Sequence, residues 1–169
     1  MVRTTIACLF ALLYIAVPDI ASAGSSHATT ADILTMIREI KETRDVDKRD
    51  DLAYKLHICF YDLYEVKAMN RVDDSVVDSL MGLLDDDDDF VRGYAAEGLG
   101  QFGLRAQKAV PALERALRRQ SEVDKRLPYP VRFGTDSIDY IVPALKRVQG
   151  IPQDVDYETG KKLLQQKKN

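Results

Sequence analysis

Apolar residues recur every three or four positions along most of the chain beyond residue 30, which predicts helices that bury one face. The first helix is predicted to start at Asp32, with an inward face of Ile33, Met36, Ile37 and Ile40. A charged connection at 43–51 leads to a second helix from about residue 51 to residue 67. The apolar stripe of this second helix consists of Leu52, Leu56, Cys59, Leu63 and Val66.

A run of five aspartates, 85–89, separates two further helical patterns. The pattern before it starts at Asp73 or Asp74 and carries Val76, Val77, Leu80, Leu83 and Leu84. In the pattern after it, one face consists of Val91, Ala95, Leu99 and Phe102. The last aspartate is predicted to cap this fourth helix. Gly98 and Gly100 predict close contact with another helix, because an interior glycine otherwise costs about 0.5–1 kcal/mol.

A short internal repeat has a period of 32 or 33 residues. The segment 110–115, VPALER, recurs at 142–147 as VPALKR. Val77 precedes Val110 by 33 residues, and Val110 precedes Val142 by 32. A period in this range is typical of stacked helical hairpins, none of which buries its apolar face alone. A generic helical bundle is the alternative fold.

The fourth helix and its continuation resemble one HEAT repeat. Aspartates followed by Val91-Arg92, two alanines and Leu99-Gly100 are similar to the first helix of that repeat, and the segment 109–117 is similar to the second. Ankyrin repeats have the same length, but their Thr-Pro-Leu-His pattern is absent. The resemblance implies an all-α, right-handed α-solenoid of about four HEAT-like hairpins. It also implies a structural role for Arg92, Leu99, Pro111 and Leu113.

In HEAT-like repeats the arginine at the position of Arg92 pairs with aspartates between repeats. The resemblance therefore implies an ion pair between Arg92 and the aspartate run. If that pair is exposed, it contributes only about 0–1 kcal/mol to stability. We accordingly expect replacement of Arg92 to lower stability modestly and to leave partner binding intact.

The predicted fourth repeat departs from the period. Its first helix starts near Glu122, and Pro128 and Pro130 end it early. The segment 127–134 is therefore predicted to be an irregular loop, and Thr135 or Asp136 to cap the last core helix. A short helix within 154–169 is predicted to place Leu163 and Leu164 over the open end of the stack.

The chain begins with the features of a secretory signal peptide. Arg3 is followed by an apolar run at 6–17 and by a small-x-small site at 21–23, so cleavage is expected before Gly24. Twelve apolar residues are too few for a helix that crosses a bilayer, which needs about 20. These features predict a signal peptide at 1–23, a helical repeat domain at 24–169 and export to the periplasm. A retained N-terminal anchor is the alternative.

Charge and cysteine content narrow the classes of partner. Cleavage removes one basic and one acidic residue, so the net charge stays at −3, which together with export disfavours nucleic acid. It also removes Cys8 and leaves Cys59 alone, which predicts a buried, inert thiol. The mature protein needs no membrane-binding role, because the lysines of the tail suit a helix C-terminus.

No catalytic set, metal spacing or cofactor motif is evident. His57 and Cys59 are two positions apart, so on a helix they point roughly 200° apart and cannot pair. The aspartate run lacks the alternating oxygen ligands and the closing glutamate of a calcium loop. These features predict a protein that is not an enzyme and that binds no cofactor, with calcium binding as the alternative for the aspartates.

Because no catalytic or cofactor signal is evident, the function is expected to depend on the protein surface. The turns within the predicted hairpins carry basic residues and no acidic ones, whereas the aspartates lie at the opposite edge, which predicts an electrically bipolar protein. The alternative is that basic residues simply favour helix C-termini. The predicted partner-binding residues are Tyr129, Val131, Arg132 and Phe133 in the loop, Arg105 and Lys108 on the basic edge, and Asp86, Asp87 and Asp88 in the run. For the loop, inward packing of Tyr129 and Phe133 is the alternative.

In size, export and helical make-up the chain resembles the periplasmic immunity partners of type VI secreted cell-wall amidases. The resemblance implies a binding protein that occludes the cleft of a peptidoglycan-degrading toxin. An envelope scaffold that joins other proteins is the alternative, and a homodimer also stays open. HEAT-like repeats occur in bilin lyases as well, but export to an envelope without bilins argues against that activity.

Overall fold

The computed structural model describes residues 28–126 and 137–166, with the backbone alone for 123–126. The α-helices in these ranges are α1 Thr30–Glu42, α2 Val46–Glu65, α3 Ser75–Met81, α4 Asp89–Phe102, α5 Val110–Arg126, α6 Ser137–Gln149 and α7 Tyr157–Gln166. Two 3-10 segments, Met69–Arg71 and Gly103–Ala109, join α2 to α3 and α4 to α5. The all-α prediction is confirmed. The predicted signal peptide and the loop 127–134 lie outside the described residues.

The first two helices begin earlier than predicted because polar residues cap them. Thr29 and Asp32 form a reciprocal capping box, so α1 begins at Thr30. The carboxylate of Asp45 accepts the backbone N–H of Lys48 at 3.1 Å, which places the start of α2 at Val46. The predicted charged connection is thereby reduced to residues 43–45.

Helix α4 lies between two others. It packs against α2 on one side and α6 on the other, while α1 packs on α2, α3 on α4 and α5 on α6. Its predicted inward residues Val91, Ala95, Leu99 and Phe102 are all buried. A Cβ atom on Gly98 would lie 2.8 Å from the Phe60 ring, and one on Gly100 would lie 3.1 Å from the Ala144 Cα. The predicted close contact at these glycines is confirmed.

Helix α5 is continuous from Val110 to Arg126, so the helix predicted to start near Glu122 is wrong. Neither proline nor glycine occurs between residues 119 and 126, so this stretch contains no residue that breaks a helix. The two copies of the sequence repeat also differ in structure. Pro111 lies in the first turn of α5, where its missing N–H has no partner to lose, whereas Pro143 lies inside α6.

Two residues of the predicted apolar stripe of α2 are not in the core. Val66 is about half exposed, because α2 ends at Glu65 and the chain turns at Lys67, whose φ is +56°. Cys59 is only partly buried, although it packs against the core cluster. Burial still raises the pKa of the Cys59 thiol to about 11, so this thiol is protonated and weakly reactive at neutral pH.

The C-terminal helix α7 packs through Tyr157 and Gly160, which are buried, with Gly160 against Ile151. Leu164 contacts the edge of the core, as predicted, but Leu163 is half exposed, and its predicted covering role is wrong. The position of α7 is fixed instead by Glu114 of α5. The Glu114 carboxylate accepts hydrogen bonds from Lys161 Nζ at 2.7 Å and from the Tyr157 hydroxyl at 3.2 Å.

We expect α7 to lose its attachment in acid. The hydrogen bond from Lys161 is the largest cause that holds the pKa of Glu114 below its usual 4.5, and the same bond raises the pKa of Lys161. A carboxyl group with a lowered folded-state pKa stabilises the fold above its unfolded pKa. That contribution disappears as the pH falls through the folded value. The protection factors of the α7 amides, which compare measured with intrinsic exchange rates, should therefore fall below pH 4.5.

The variant Glu114→Gln is the matched control for this effect. It should show faster exchange in α7 at neutral pH and a smaller change in acid than the native protein. The Asp156 carboxylate, whose pKa is also lowered by the backbone N–H of Thr159, is present in both proteins. Their difference therefore isolates Glu114, and identical pH profiles for the two proteins would contradict the prediction.

Candidate protein-interaction surface

The outer side of α2 presents a row of large side chains that no described helix covers. Tyr54, Ile58, Tyr61 and Tyr64 are 55%, 36%, 50% and 49% exposed. Their spacing of three or four residues places them on one side of the helix. The opposite side is buried in the core and consists of Leu52, Ala53, Leu56, Phe60 and Leu63. A contiguous exposed apolar patch of this kind is typical of an interaction site.

Aromatic residues of α4 and α6 extend this row. The ring of Tyr94 stacks on that of His57 with 4.7 Å between centroids, and Tyr140 meets Tyr94 edge-on at 5.5 Å. Tyr54 lies 6.5 Å and Phe90 6.2 Å from the Tyr94 ring. Aromatic pairs at such distances contribute about 0.5–1.5 kcal/mol beyond their buried area, so these rings hold one another in place.

We call this surface the tyrosine face. It consists of Tyr54, His57, Ile58, Tyr61 and Tyr64 of α2, Phe90 and Tyr94 of α4, and Tyr140 of α6. Gly93 allows Tyr140 to approach, because a Cβ atom at Gly93 would lie 2.9 Å from the Tyr140 ring.

A polar contact fixes α2 to α4 within the tyrosine face. His57 Nδ1 lies 2.5 Å from Glu97 Oε2, and both side chains are largely buried. Partial burial is the main cause that raises the pKa of Tyr94, with smaller contributions from the neighbouring tyrosines and from Glu97 and Asp50. The Tyr94 hydroxyl therefore keeps its proton and can donate a hydrogen bond to a partner.

A pocket of about 440 Å³ lies at the end of α2 next to Tyr64. Its other lining residues are Glu65, Lys67, Met69 and Gln101. The side-chain oxygen of Gln101 is buried and accepts no hydrogen bond from the residues that the structure describes.

The aspartate run is used inside the molecule, at the start of α4. Asp88, and not the last aspartate, caps this helix, because its carboxylate accepts the N–H groups of Phe90 and Val91 at 2.8 and 3.2 Å. Asp89 is the first helical residue, and its carboxylate accepts a hydrogen bond from Arg92. The cap therefore lies one residue earlier than predicted.

Two further arginines hold the same turn from other helices. Arg49 of α2 forms an ion pair with the carboxylate of Asp86. Arg119 of α5 donates to the Asp87 carboxylate at 2.8 Å and to the Asp85 carbonyl at 2.9 Å. Of the three predicted binding aspartates, only Asp87 keeps a nearly fully exposed side chain. Binding through Asp86, Asp87 and Asp88 stays a prediction.

Arg92 is buried at 4% exposure, so the expectation of an exposed ion pair is wrong. Its guanidinium donates to the carbonyls of Asp86 and Asp87 at 2.9 and 2.8 Å. It also donates to the Asp89 carboxylate at 2.7 Å and to the Gln120 side chain at 2.8 Å. The predicted pairing with aspartates is present, within a network that also reaches α5.

The basic residues predicted at the opposite edge are neutralised. Arg105 pairs with Asp74 at 2.6 Å and Lys108 with Asp78 at 2.8 Å. The acidic partners are the cap residue of α3 and a residue within α3. They lie outside the turns whose residues were counted, so the prediction did not include them. The prediction of a purely basic edge is wrong at these two positions. Their role in binding stays a prediction, and the loop residues Tyr129, Val131, Arg132 and Phe133 lie outside the described residues.

The described parts of the chain show neither a metal-binding cluster nor a membrane-spanning helix. Within 28–126 and 137–166 no group of histidine, cysteine, aspartate and glutamate side chains can hold a metal ion. Nor is any helix in these ranges long and apolar enough to cross a bilayer.

The tyrosine face was missed in the sequence, although part of its signal is present there. Tyrosines 54, 61 and 64 and Ile58 follow helical spacing on the side of α2 opposite its core stripe. One helix with two apolar sides indicates a second contact surface. The contributions of α4 and α6 depend on how the helices pack and have no signal in the spacing.

Comparison with known proteins agrees with the helical architecture. Residues 91–119 match the family model described as PBS lyase HEAT-like repeat. This stretch covers α4, the 3-10 segment and the first part of α5. No curated protein and no solved structure matches the chain. A HEAT-like repeat in an all-helical chain indicates a protein-interaction or scaffold module, and nothing in these comparisons supports the resemblance to immunity proteins.

Proposed function

We propose that this chain is a protein-binding module that holds its partner through the tyrosine face. The observation that carries the proposal is the row of exposed tyrosines on α2, continued by the packed rings of Tyr94 and Tyr140. Tyrosine is enriched among the residues that dominate binding energy at protein interfaces. Rings that already hold one another lose little conformational entropy when a partner arrives.

We further propose that the helices form a right-handed α-solenoid of HEAT-like hairpins. In this arrangement α2, α4 and α6 are the helices of one layer, and α1, α3 and α5 those of the other. The pairwise contacts and the match at 91–119 support it. The adjacent helices α2, α4 and α6 would then build the tyrosine face from one layer, which is how solenoids create extended binding surfaces.

The specific role we propose is inhibition of a cell-wall amidase toxin in the periplasm. The predicted signal peptide at 1–23 supports export, and a surface of preorganised rings suits occlusion of an enzyme cleft. An envelope scaffold is the second candidate, and the HEAT-like repeat favours it. The two differ in what binding does to the partner: an inhibitor abolishes the activity of one enzyme, whereas a scaffold leaves the activity of each partner unchanged.

The proposal is tested with the full chain, residues 1–169, which keeps its predicted export signal and carries a photo-crosslinking amino acid in place of Tyr61. Crosslinks should form to a discrete partner protein in the source cell, and not from the same label at Leu104. Leu104 is the matched control, because it is 62% exposed and belongs to the 3-10 segment after α4, outside the tyrosine face.

The double variant Tyr54→Ala, Tyr61→Ala should weaken binding of the captured partner by at least about 2 kcal/mol, while the melting temperature barely changes. Leu104→Ala should leave the affinity unchanged. Unchanged affinity in the tyrosine variant would reject the tyrosine face. The double variant Tyr129→Ala, Arg132→Ala would then test the predicted loop.

A further inference from the structure

We infer that the tyrosine face receives a positively charged segment of the partner protein, whose arginine or lysine side chains lie over the exposed rings. The inference rests on the proposed function and adds the chemistry of the partner. It follows from the carboxylates that share one side of α2 with the tyrosines, and from the electrostatics of aromatic rings.

Charge is unevenly distributed around α2. Successive residues of an α-helix are rotated by about 100°, so positions relative to Tyr54 can be counted along the sequence. The acidic residues within about 60° of Tyr54 are Asp47, Asp50, Asp51 and Glu65. Lysine and arginine are absent from this sector, since Lys48 and Lys55 lie about 100–120° away. The exposed rings of α2 therefore stand among negative charges.

Carboxylates near the start of α2 are close enough to repel one another. Desolvation raises the pKa of Asp50, and the charges of Asp88 and Asp47 raise it further, whereas Arg49 lowers it. Arg49 is already paired with Asp86, so its charge is divided between two carboxylates. A cation from a partner would relieve this repulsion, which favours a positively charged occupant.

The rings of this face already accommodate a cation within the protein itself. The guanidinium carbon of Arg147 on α6 lies 5.9 Å from the centroid of the Tyr64 ring. That distance is within the range of a cation–π contact, about 6 Å. Tyr54 and Tyr61 on the same helix are exposed to a similar degree.

The pocket beside Tyr64 fits the same kind of occupant. Among the described residues no donor reaches the Gln101 side-chain oxygen, and Glu65 adds a carboxylate to the pocket lining. Guanidinium and ammonium groups carry only donors. Lys67 also lines the pocket and brings one positive charge to the Tyr64 end of the tyrosine face. The end with Tyr54 and Tyr61 is therefore more negative than the Tyr64 end.

The test uses a fluorescent nine-residue peptide of alternating arginine and glycine as the probe, with residues 24–169 as the protein. Anisotropy should show saturable binding that weakens as salt is added, and a glutamate–glycine peptide of equal length should not bind. Tyr54→Ala and Tyr61→Ala should each weaken binding about twofold to fivefold. Asp50→Asn combined with Asp51→Asn should weaken it to a similar extent and reduce the salt dependence.

The control is the pair Asp154→Asn, Glu158→Gln, which removes two exposed carboxylates near the start of α7, outside the tyrosine face. It should leave binding of the arginine peptide unchanged. If this pair weakened binding equally, the peptide would be attracted by the net charge of the protein and not by the tyrosine face, and the inference would be overturned. Absence of saturable binding, or binding of a cell-wall glycan at the same rings instead, would overturn it as well. Crosslinking from position 61 is independent of this outcome, so the proposed function can stand when the charge inference fails.

Discussion

Replacing Arg92 by alanine is expected to destabilise the protein by about 3 kcal/mol, which corresponds to a fall in melting temperature of about 6–12 °C for a chain of this size. The guanidinium is buried and serves two carbonyls, one carboxylate and one amide oxygen at once. Alanine removes four hydrogen bonds at once, although the Asp86 carbonyl keeps one from Arg119 at 3.2 Å. A buried acceptor that loses its partner costs about 1–3 kcal/mol. Part of that loss is recovered, because the Asp89 carboxylate is partly exposed to water.

Arg119→Ala is the matched comparison for this prediction. Arg119 reaches the same turn, but its side chain is 41% exposed and its carboxylate partner is almost fully exposed, so its removal should change stability by only about 0–1 kcal/mol. Arg92→Lys should be intermediate, since an ammonium group keeps the charge and loses the planar fork. Equal thermal shifts for Arg92→Ala and Arg119→Ala would show that burial of Arg92 does not determine its contribution.

Replacing Leu113 by alanine is expected to cost about 2–5 kcal/mol. Leu113 is completely buried on α5, the helix that packs against α6. The substitution removes three carbon atoms from the core, and the surrounding helices relax only partly into the cavity. Urea denaturation followed by circular dichroism should show a lower midpoint with an unchanged slope.

Leu104→Ala removes the same atoms from an exposed site and provides the baseline. It should change the unfolding free energy by less than about 0.5 kcal/mol. A similar loss in both variants would mean that helix propensity, and not burial, determines the effect at residue 113. A β-rich spectrum for the native protein would contradict the fold itself.

The helices themselves were predictable because each buried face repeats at helical spacing, and α4 also shows the glycines that its neighbours require. Boundaries were less predictable. Thr29 and Asp45 begin helices earlier because side-chain caps satisfy backbone N–H groups ahead of the first apolar residue. The predicted break near Glu122 failed because a sequence repeat does not require equal element boundaries.

The surface was less predictable than the core, since it depends on residues far apart in sequence. The burial of Arg92 depends on Gln120 of α5, and the ion pair of Arg105 depends on Asp74 at the start of α3. Neither contact can be predicted from the residues of a single turn, because each involves a residue on another helix. The tyrosine face likewise needs α2, α4 and α6 in their packed positions before His57, Tyr94 and Tyr140 become one group.

The glycines of α4 have a consequence for how substitution tolerance in this chain is interpreted. Gly98 lies directly against the Phe60 ring of α2, and Gly100 lies directly against the Ala144 backbone of α6. Any side chain there pushes two helices apart and shifts every residue that they carry. Intolerance at these positions would therefore reflect spacing between helices, and it would resemble a functional requirement without being one.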